Sequence, residues 1–392
     1  MSNSLFVSKI TYLLLFSFAF NSFVFSQSKI KVGAEQLEKY LSIIQNKKVA
    51  IVSNHSSVIS DYPYSIHIVD SLINLGVTVS KVFAPEHGFR GTKANGEYIK
   101  DEVDLKTKVK IISLHGKKRK PSQKDLDEVD VVLFDIQDVG VRFYTYLSTL
   151  HYVMEACAEN KKPLIILDRP NPNIFYIDGP VMESENKSFL GMHPVPIVYG
   201  MTIGEYAMMI NGEKWLLNDL KCNLSVIPIS NYSHNSRYEL PLRPSPNLPN
   251  KTSINLYPSL CLLEQTPISI GRGTEMQFQI YGHPLFKETE FSFKPISNFG
   301  SKNPKLKNEK CNGFDLRNTK EVKEIDLKWL INSYSKYPDK NKFFNSNFIK
   351  ISGTKSLEDQ IKNGWTEKEI KKSWSKKISN FKRIREKYLI YP

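Results

Sequence analysis

Four stretches of this sequence combine residue types and spacings that could do chemistry. In PEHGFRG (85–91), Pro85 favours an extended approach to Glu86, and Gly88 permits a sharp turn just after His87. A carboxylic acid held at such a rigid point can be desolvated and its pKa raised, as a general acid requires. The same spacing allows a structural ion pair between Glu86 and Arg90. The segment DIQDVGVRFYTY (135–146) is denser. Asp135 and Gln137 share a face if the strand continues, and Asp138, Arg142, Tyr144 and Tyr146 follow in a strand-to-helix turn. Tyrosine and arginine suit stacking and hydrogen bonding to a sugar that carries a carboxylate; the bland alternative is an Asp–Arg structural pair with aromatics in the core. In LDRPNP (167–172), Arg169 is a candidate for bidentate carboxylate recognition. Asp168 and Asn171 there could equally lock the loop. In SIGRGTE (269–275), Arg272 and Glu275 form a polar pair whose glycines allow close approach to a ligand.

The elements that must position these groups are short apolar runs alternating with helical stretches. The runs are 48–54, 77–85, 109–115, 130–138 and 162–172, and residues 143–160 have helical spacing. Strands of this kind, alternating with helices, argue for a parallel sheet covered on both faces. The expected fold class is therefore α/β, with a Rossmann-like sheet domain over 27–245. Ligands of such sheets bind beyond the carboxyl ends of the strands. The polar residues there are Ser53-Asn54-His55, Glu86-His87, His115, Asp135-Gln137-Asp138 and Asp168-Arg169-Asn171. Five strand ends with capable side chains place a site on that edge. The texture changes near residue 180, and LPLRPSPNLPN (240–250) holds four prolines. This rigid, extended stretch is expected to lead into a second, smaller α/β domain over 250–392 that completes the cleft.

Several functions are disfavoured. No G-x-G-x-x-G follows the first strand and no P-loop occurs, so no nucleotide cofactor is expected. His55, His87 and His115 could converge on a metal, but histidines that hydrogen-bond carboxylates are commoner, and no metal is expected. A triad of Ser53, His87 and Asp135 lacks a G-x-S-x-G elbow. The chain has 392 residues and a formal net charge of +14. Its basic residues are spread, and the charged run 362–388 carries Trp365, Trp374, Ile378, Phe381 and Ile384 at the spacing of an amphipathic helix packed on a body. No nucleic-acid partner is expected. Lys9 precedes an apolar run interrupted by Ser17, Asn21 and Ser22, which reads as a signal peptide of about 26 residues and not as a membrane anchor. Export to the periplasm, or secretion, is expected. Cys157, Cys222, Cys261 and Cys311 show no metal spacing; a pair could bridge, or all four could be buried thiols.

Taken in order, PEHGFRG, FDIQDVGVRFYTY, LDRPNP, the DGP of 178–180, and SPNLP followed by GRGTE resemble the exo-β-N-acetylmuramidase family, long catalogued as a domain of unknown function. The resemblance runs from about Lys48 to the C-terminus. It implies a glycoside hydrolase that removes N-acetylmuramic acid (MurNAc) from the non-reducing end of peptidoglycan fragments, in a cleft between two domains. It makes Glu86 the general acid, with Asp135, Asp138, Asp168 and Glu275 available as the second carboxyl; Asp135 and Asp168 are taken as its nearest candidates. Asn54, His87, Arg90, Gln137, Asp138, Arg142, Tyr144, Arg169, Asn171, Arg272 and Glu275 are then candidate substrate contacts. Muramic acid bears a lactyl carboxylate, so Arg142, Arg169 or Arg272 is expected to face it. The competing readings are a periplasmic sugar-binding protein and a metal-dependent hydrolase.

Overall fold

Each strand of the central sheet is a nearly unbroken run of buried apolar side chains. The structure, a computed structural model, describes residues 29–59, 65–91 and 101–392; the expected signal segment lies outside the described residues. In chain order the strands are β1 (Lys48–Ser53), the short antiparallel pair β2 (Val58–Ile59) and β3 (Ile66–His67), β4 (Thr78–Ala84), β5 (Glu102–Val103), β6 (Lys110–Ser113), β7 (Val131–Asp135), β8 (Leu164–Leu167) and β9 (Leu224–Ile227). The seven-stranded sheet has the order β5-β6-β4-β1-β7-β8-β9, and only the edge strand β5 runs antiparallel to its neighbour. The six parallel strands thus wind outward from β1 to β6, cross back to β7, and wind outward again. That is the doubly wound order, with its topological switch between β1 and β7.

Side chains alternate between two cores, as the strand period of two demands. Val49 and Ile51 of β1 join Leu133 of β7 on one face, against Ile68, Val69 and Leu72 of the helix Ile68–Asn74. Ala50, Val52 and Phe134 point to the other face, against Leu147, Leu150 and Val153 of the helix Tyr146–Glu159. This second core does not end with the sheet. It continues through Leu256, Leu260, Leu330, Phe348, Leu357, Trp374 and Phe381, so the C-terminal helices share the core of the sheet. Each such side chain contributes roughly 2 kcal/mol on burial, which binds the two halves firmly. Lys31–Pro392 accordingly forms one compact unit. The C-terminal part adds its own antiparallel sheet of β10 (Ile280–His283), β11 (Phe291–Phe293) and β12 (Cys311–Asp315), with β12 central.

The five apolar runs form β1, β4, β6, β7 and β8, each shorter than its run. β7 stops at Asp135, so Asp135 and Gln137 do not share a strand face. β8 stops at Leu167, three residues before Pro170, which lacks an N–H for the ladder. The amphipathic run becomes the helix Glu367–Arg385, capped by Thr366, with Ile370, Trp374, Ile378 and Phe381 buried. Trp365 precedes that cap and is 42% exposed, so it is not part of the packed face. All four cysteines are free and buried. Among the described residues no helix is long and apolar enough to cross a membrane.

Candidate active site

Glu86 leaves β4 in a tight turn closed by the Gly88 N–H donating to the Pro85 carbonyl at 3.1 Å. His87 sits at the third position of that turn with φ +72°, and Gly88 follows at +75°. Positive φ costs a non-glycine residue of order 1 kcal/mol, and such strain clusters at functional sites. The turn lifts Glu86 over the carboxyl edge of the sheet. There its Oε2 accepts a hydrogen bond from the Thr145 hydroxyl at 3.0 Å. Thr145 is the N-cap position of the helix Tyr146–Glu159. His87 Nε2 lies 3.2 Å from the Ser245 hydroxyl, which ties the turn to the proline-rich ribbon.

These groups line a cavity of about 230 Å³. Glu86 and His87 form one wall, and Phe143, Tyr144, Thr145 and Tyr146 from the turn after β7 form the next. Ser245, Asn247 and Leu248 of the ribbon close a third side, facing Tyr257, Glu264, Gln265, Arg272, Phe278 and Ile351. The aromatic rings make a continuous edge-to-face layer: Tyr144 meets Tyr146 at 4.8 Å and Tyr257 at 6.0 Å, and Tyr257 meets Phe278 at 4.8 Å. Such a layer offers flat apolar faces with polar tips, which suits a sugar ring. Tyr144 donates its hydroxyl to the Pro244 carbonyl at 2.8 Å, and Asn54 donates to the Tyr146 hydroxyl at 2.8 Å, so both rings are held rigidly.

The same cavity is lined by a second carboxylate, Glu264, which the sequence reading missed. Glu264 accepts from Arg272 Nε at 2.8 Å, and both side chains keep about a fifth of their surface exposed, 23% and 20%. Burial pushes the Glu264 carboxyl up, but Arg272 and the nearby Lys305 ammonium outweigh it and hold the group below its usual range. Burial likewise drives Lys305 down to about 8, partly offset by Glu264. Lys305 donates to the carbonyls of Leu263, Glu264 and Ile268, at 3.4, 3.2 and 2.9 Å, and so pins the turn that presents Glu264. Arg272 stands between Gly271 and Gly273, both at φ +79°, and its guanidinium lies 5.0 Å from the Phe278 ring centre. One signal for Glu264 existed: it is the lone charge in YPSLCLLEQTPISI (257–270), and a charge inside an apolar run is rarely idle. Asn247 was also missed; its Nδ2 donates to the Gly300 carbonyl at 2.8 Å, and its buried Oδ1 has no partner among the described residues.

Of the residues singled out from sequence, the cavity gathers Glu86, His87, Tyr144, Tyr146 and Arg272. The others serve the scaffold. Asp135 and Arg169 form a sealed bidentate pair, at 2.5 and 2.9 Å, and Arg169 also donates to the Val58 carbonyl. Arg142 is 1% exposed and donates to the carbonyls of Pro180, Val195, Ile351 and Ser352, each at 2.8 Å. Burial lowers it to about 9, and it clasps the C-terminal region instead of meeting a ligand carboxylate. Asp168 accepts from Tyr391, Thr202 and the Gly204 N–H at 2.6, 2.7 and 2.9 Å, so it ties the chain end to β8; burial pushes it up to about 7. Burial likewise lifts Asp138 to about 6 although Tyr199 and the Gly140 N–H donate to it. Gln137 donates to the carbonyls of Asp138 and Pro170, and Asn171 to that of Met201. Asn54 is the pillar under Tyr146, Arg90 is held by Asp70 and Asp104, and Glu275 is exposed away from the cavity lining. His55 Nε2 meets the Arg243 carbonyl, and among the described residues no three His, Cys, Asp or Glu side chains gather as a metal would require.

An α/β chain whose doubly wound sheet carries a small cavity with two carboxyl groups and an aromatic floor has the equipment of a glycoside hydrolase. The chain belongs to the exo-beta-N-acetylmuramidase NamZ family: the model of the family's N-terminal part matches residues 49–252, and that of its C-terminal part matches residues 255–391. It is 34% identical to the peptidoglycan beta-N-acetylmuramidase NamZ of Bacillus subtilis (strain 168), over 93% of this chain and 92% of that protein. Two crystal structures of DUF1343 family proteins from Bacteroides fragilis NCTC 9343 share its fold. One matches with a TM-score of 0.87 at 43% identity, the other with 0.79 at 29%, each over 93% of this chain and 99% of the other.

Proposed function

We propose that this chain is an exo-acting glycoside hydrolase that removes MurNAc from the non-reducing end of peptidoglycan fragments. The observation that carries the reading is that Glu86 and Glu264 line one cavity. Glu264 is kept anionic by Arg272 and Lys305. Glu86 accepts a hydrogen bond from the Thr145 hydroxyl. Two carboxyl groups in unlike environments divide the roles of a glycosidase between them. Glu86 is the proton donor to the leaving oxygen, and Glu264 is the anion that answers the positive charge growing at the anomeric carbon. The aromatic layer holds the ring, and Arg272 faces the lactyl carboxylate. It is the one arginine of Arg142, Arg169 and Arg272 that lines the cavity.

The test is product analysis. The purified chain, incubated with a peptide-free MurNAc-terminated disaccharide, is expected to release free MurNAc; binding without release would favour a sugar-binding protein. The relative from Bacillus subtilis, named for the same reaction, supports the substrate class. The apolar run behind Lys9 supports export to the compartment where peptidoglycan lies. Fractionation of cells making the full chain tests that, and retention in the cytoplasm would contradict it.

A further inference from the structure

The loop that follows β6 leaves the sheet beside Glu86. β4 and β6 are paired strands, and the Leu114 N–H donates to the Ala84 carbonyl at 2.8 Å, two residues before Glu86. The loop carries four consecutive cations, Lys117, Lys118, Arg119 and Lys120. Lys118 pairs with Asp125 at 2.7 Å, and Lys120 pairs with Glu155 and Glu159, each at 2.6 Å. Those pairs fasten the loop and spend both neighbours of Arg119. Arg119 is exposed and has no acidic partner among the described residues. It is held by a ring instead: its guanidinium lies over Phe189, 4.4 Å from the ring centre.

Phe189 is a rigid platform joined to the catalytic cavity. Ser188 and Gly191 exchange backbone hydrogen bonds at 2.9 and 3.0 Å, which makes Phe189 and Leu190 the tip of a tight turn. The Ser148 hydroxyl of the helix Tyr146–Glu159 donates to the Phe189 carbonyl at 2.8 Å. Tyr152, one turn further along that helix, stacks on the Phe189 ring at 6.2 Å and 15°. Leu190, the other residue of the tip, lines the Glu86 cavity. One turn thus forms part of the cavity wall and also carries a cation. A guanidinium seated on a ring keeps its charge and its N–H edges for a further partner. From Leu190 to that guanidinium is on the order of 10 Å, made of one Cα step, the phenylalanine side chain and the gap above its ring.

The cavity, about 230 Å³, is smaller than the roughly 300–1,000 Å³ of ordinary ligand pockets. It has room for the terminal sugar, so the glycan beyond the cut must leave over the rim. In a peptide-free glycan the next carboxylate is the lactyl group of the second muramic residue, one disaccharide repeat on. We propose that Arg119, on its Phe189 platform, meets that carboxylate. The assignment rests on the Glu86 cavity as the place of cutting, and it makes the enzyme prefer glycans that carry a second muramic residue.

The test compares a MurNAc-terminated tetrasaccharide, peptide-free, with the corresponding disaccharide. Wild type should show a kcat/KM about fivefold higher on the tetrasaccharide, the upper range for an exposed ion pair, and the advantage should shrink in high salt. Arg119→Gln should abolish the advantage, Arg119→Lys should keep part of it, and amidation of the second lactyl carboxyl should abolish it for wild type. An equal fall on both substrates in Arg119→Gln overturns the proposal. So does an advantage that survives either Arg119→Gln or amidation, or one that appears only when a stem peptide is attached. If wild type cuts neither substrate, the catalytic reading fails, and calorimetry with the same two saccharides still decides the subsite. Tetrasaccharide binding about fivefold tighter in wild type, and not in Arg119→Gln, supports it; equal affinities in wild type overturn it.

Discussion

The strand-end carboxylates and the cavity carboxylates lie on the same edge of the sheet, yet they do opposite things. Asp135, Asp138 and Asp168 are almost wholly buried: Asp135 is taken up by Arg169 and Asp168 by Tyr391 with Thr202, while Asp138 accepts from Tyr199 and the Gly140 N–H on one oxygen, its buried Oδ1 having no partner among the described residues. Glu86 and Glu264 keep contact with an open cavity. The first group holds loops and the chain end to the sheet. The second group is left where a substrate can reach it. In this fold, then, the switch point between β1 and β7 is filled by structure, and chemistry has moved outward to the end of β4 and to the C-terminal half.

The largest expected effects lie in the cavity. Glu86→Gln and Glu264→Gln should each lower kcat by about 10²–10⁴-fold, the usual worth of a positioned acid or base, with melting temperature unchanged in Glu86→Gln and lowered in Glu264→Gln, which takes the anionic partner from Arg272. Near-normal kcat in either variant would merge the two groups again. The mirror image comes next. Asp135→Ala strands the Arg169 guanidinium in the core and should cost about 3–5 kcal/mol of stability in urea unfolding, with kcat retained in the fraction that folds. Normal stability with lost catalysis would move Asp135 into the chemistry. A smaller effect is expected of Arg272→Ala: a loss of about tenfold or more in kcat/KM on muramic substrates and much less on the glucosamine analogue, because one charge-assisted contact is removed. Loss without selectivity would make Arg272 a holder of Glu264 only.

A pH dependence is also expected. Burial raises Asp168 to about 7 in the fold, against about 3.9 in an unfolded chain. Between those values the folded state binds more protons than the unfolded one. The contribution of Asp168 is therefore fully present below about pH 4 and is lost as pH rises through 7. Relative to Asp168→Asn, the wild type should become progressively less stable from pH 4.5 to pH 8. A constant difference in midpoint between the two would show that Asp168 is ionised throughout.

How much of this was legible in the sequence follows from the same contrast. The sheet was legible because β1, β7 and β8 are buried on both faces and read as unbroken apolar runs. β9 was not, since its Leu224–Ile227 is half-exposed and short. Glu86 was legible because the turn that presents it needs Pro85 and Gly88, which local sequence displays. Asp168 and Arg142 look like site residues by type and position, and only tertiary packing reveals what their partners are: Tyr391 is 223 residues away from Asp168, and Ser352 is 210 away from Arg142. Glu264 stands out locally only as the lone charge of its apolar run; that it reaches the cavity is decided by the fold of the C-terminal half, with Lys305 pinning its turn.

The most direct test of the division compares two leaving groups. Wild type and Glu86→Gln are assayed side by side on a MurNAc-terminated disaccharide and on a nitrophenyl MurNAc glycoside. The disaccharide needs a proton at its leaving oxygen, and the nitrophenolate hardly does. Glu86 as the acid predicts a loss of about 10³-fold on the disaccharide and a far smaller one on the nitrophenyl glycoside. A folded Glu86→Gln that cuts the disaccharide at the wild-type rate would contradict it.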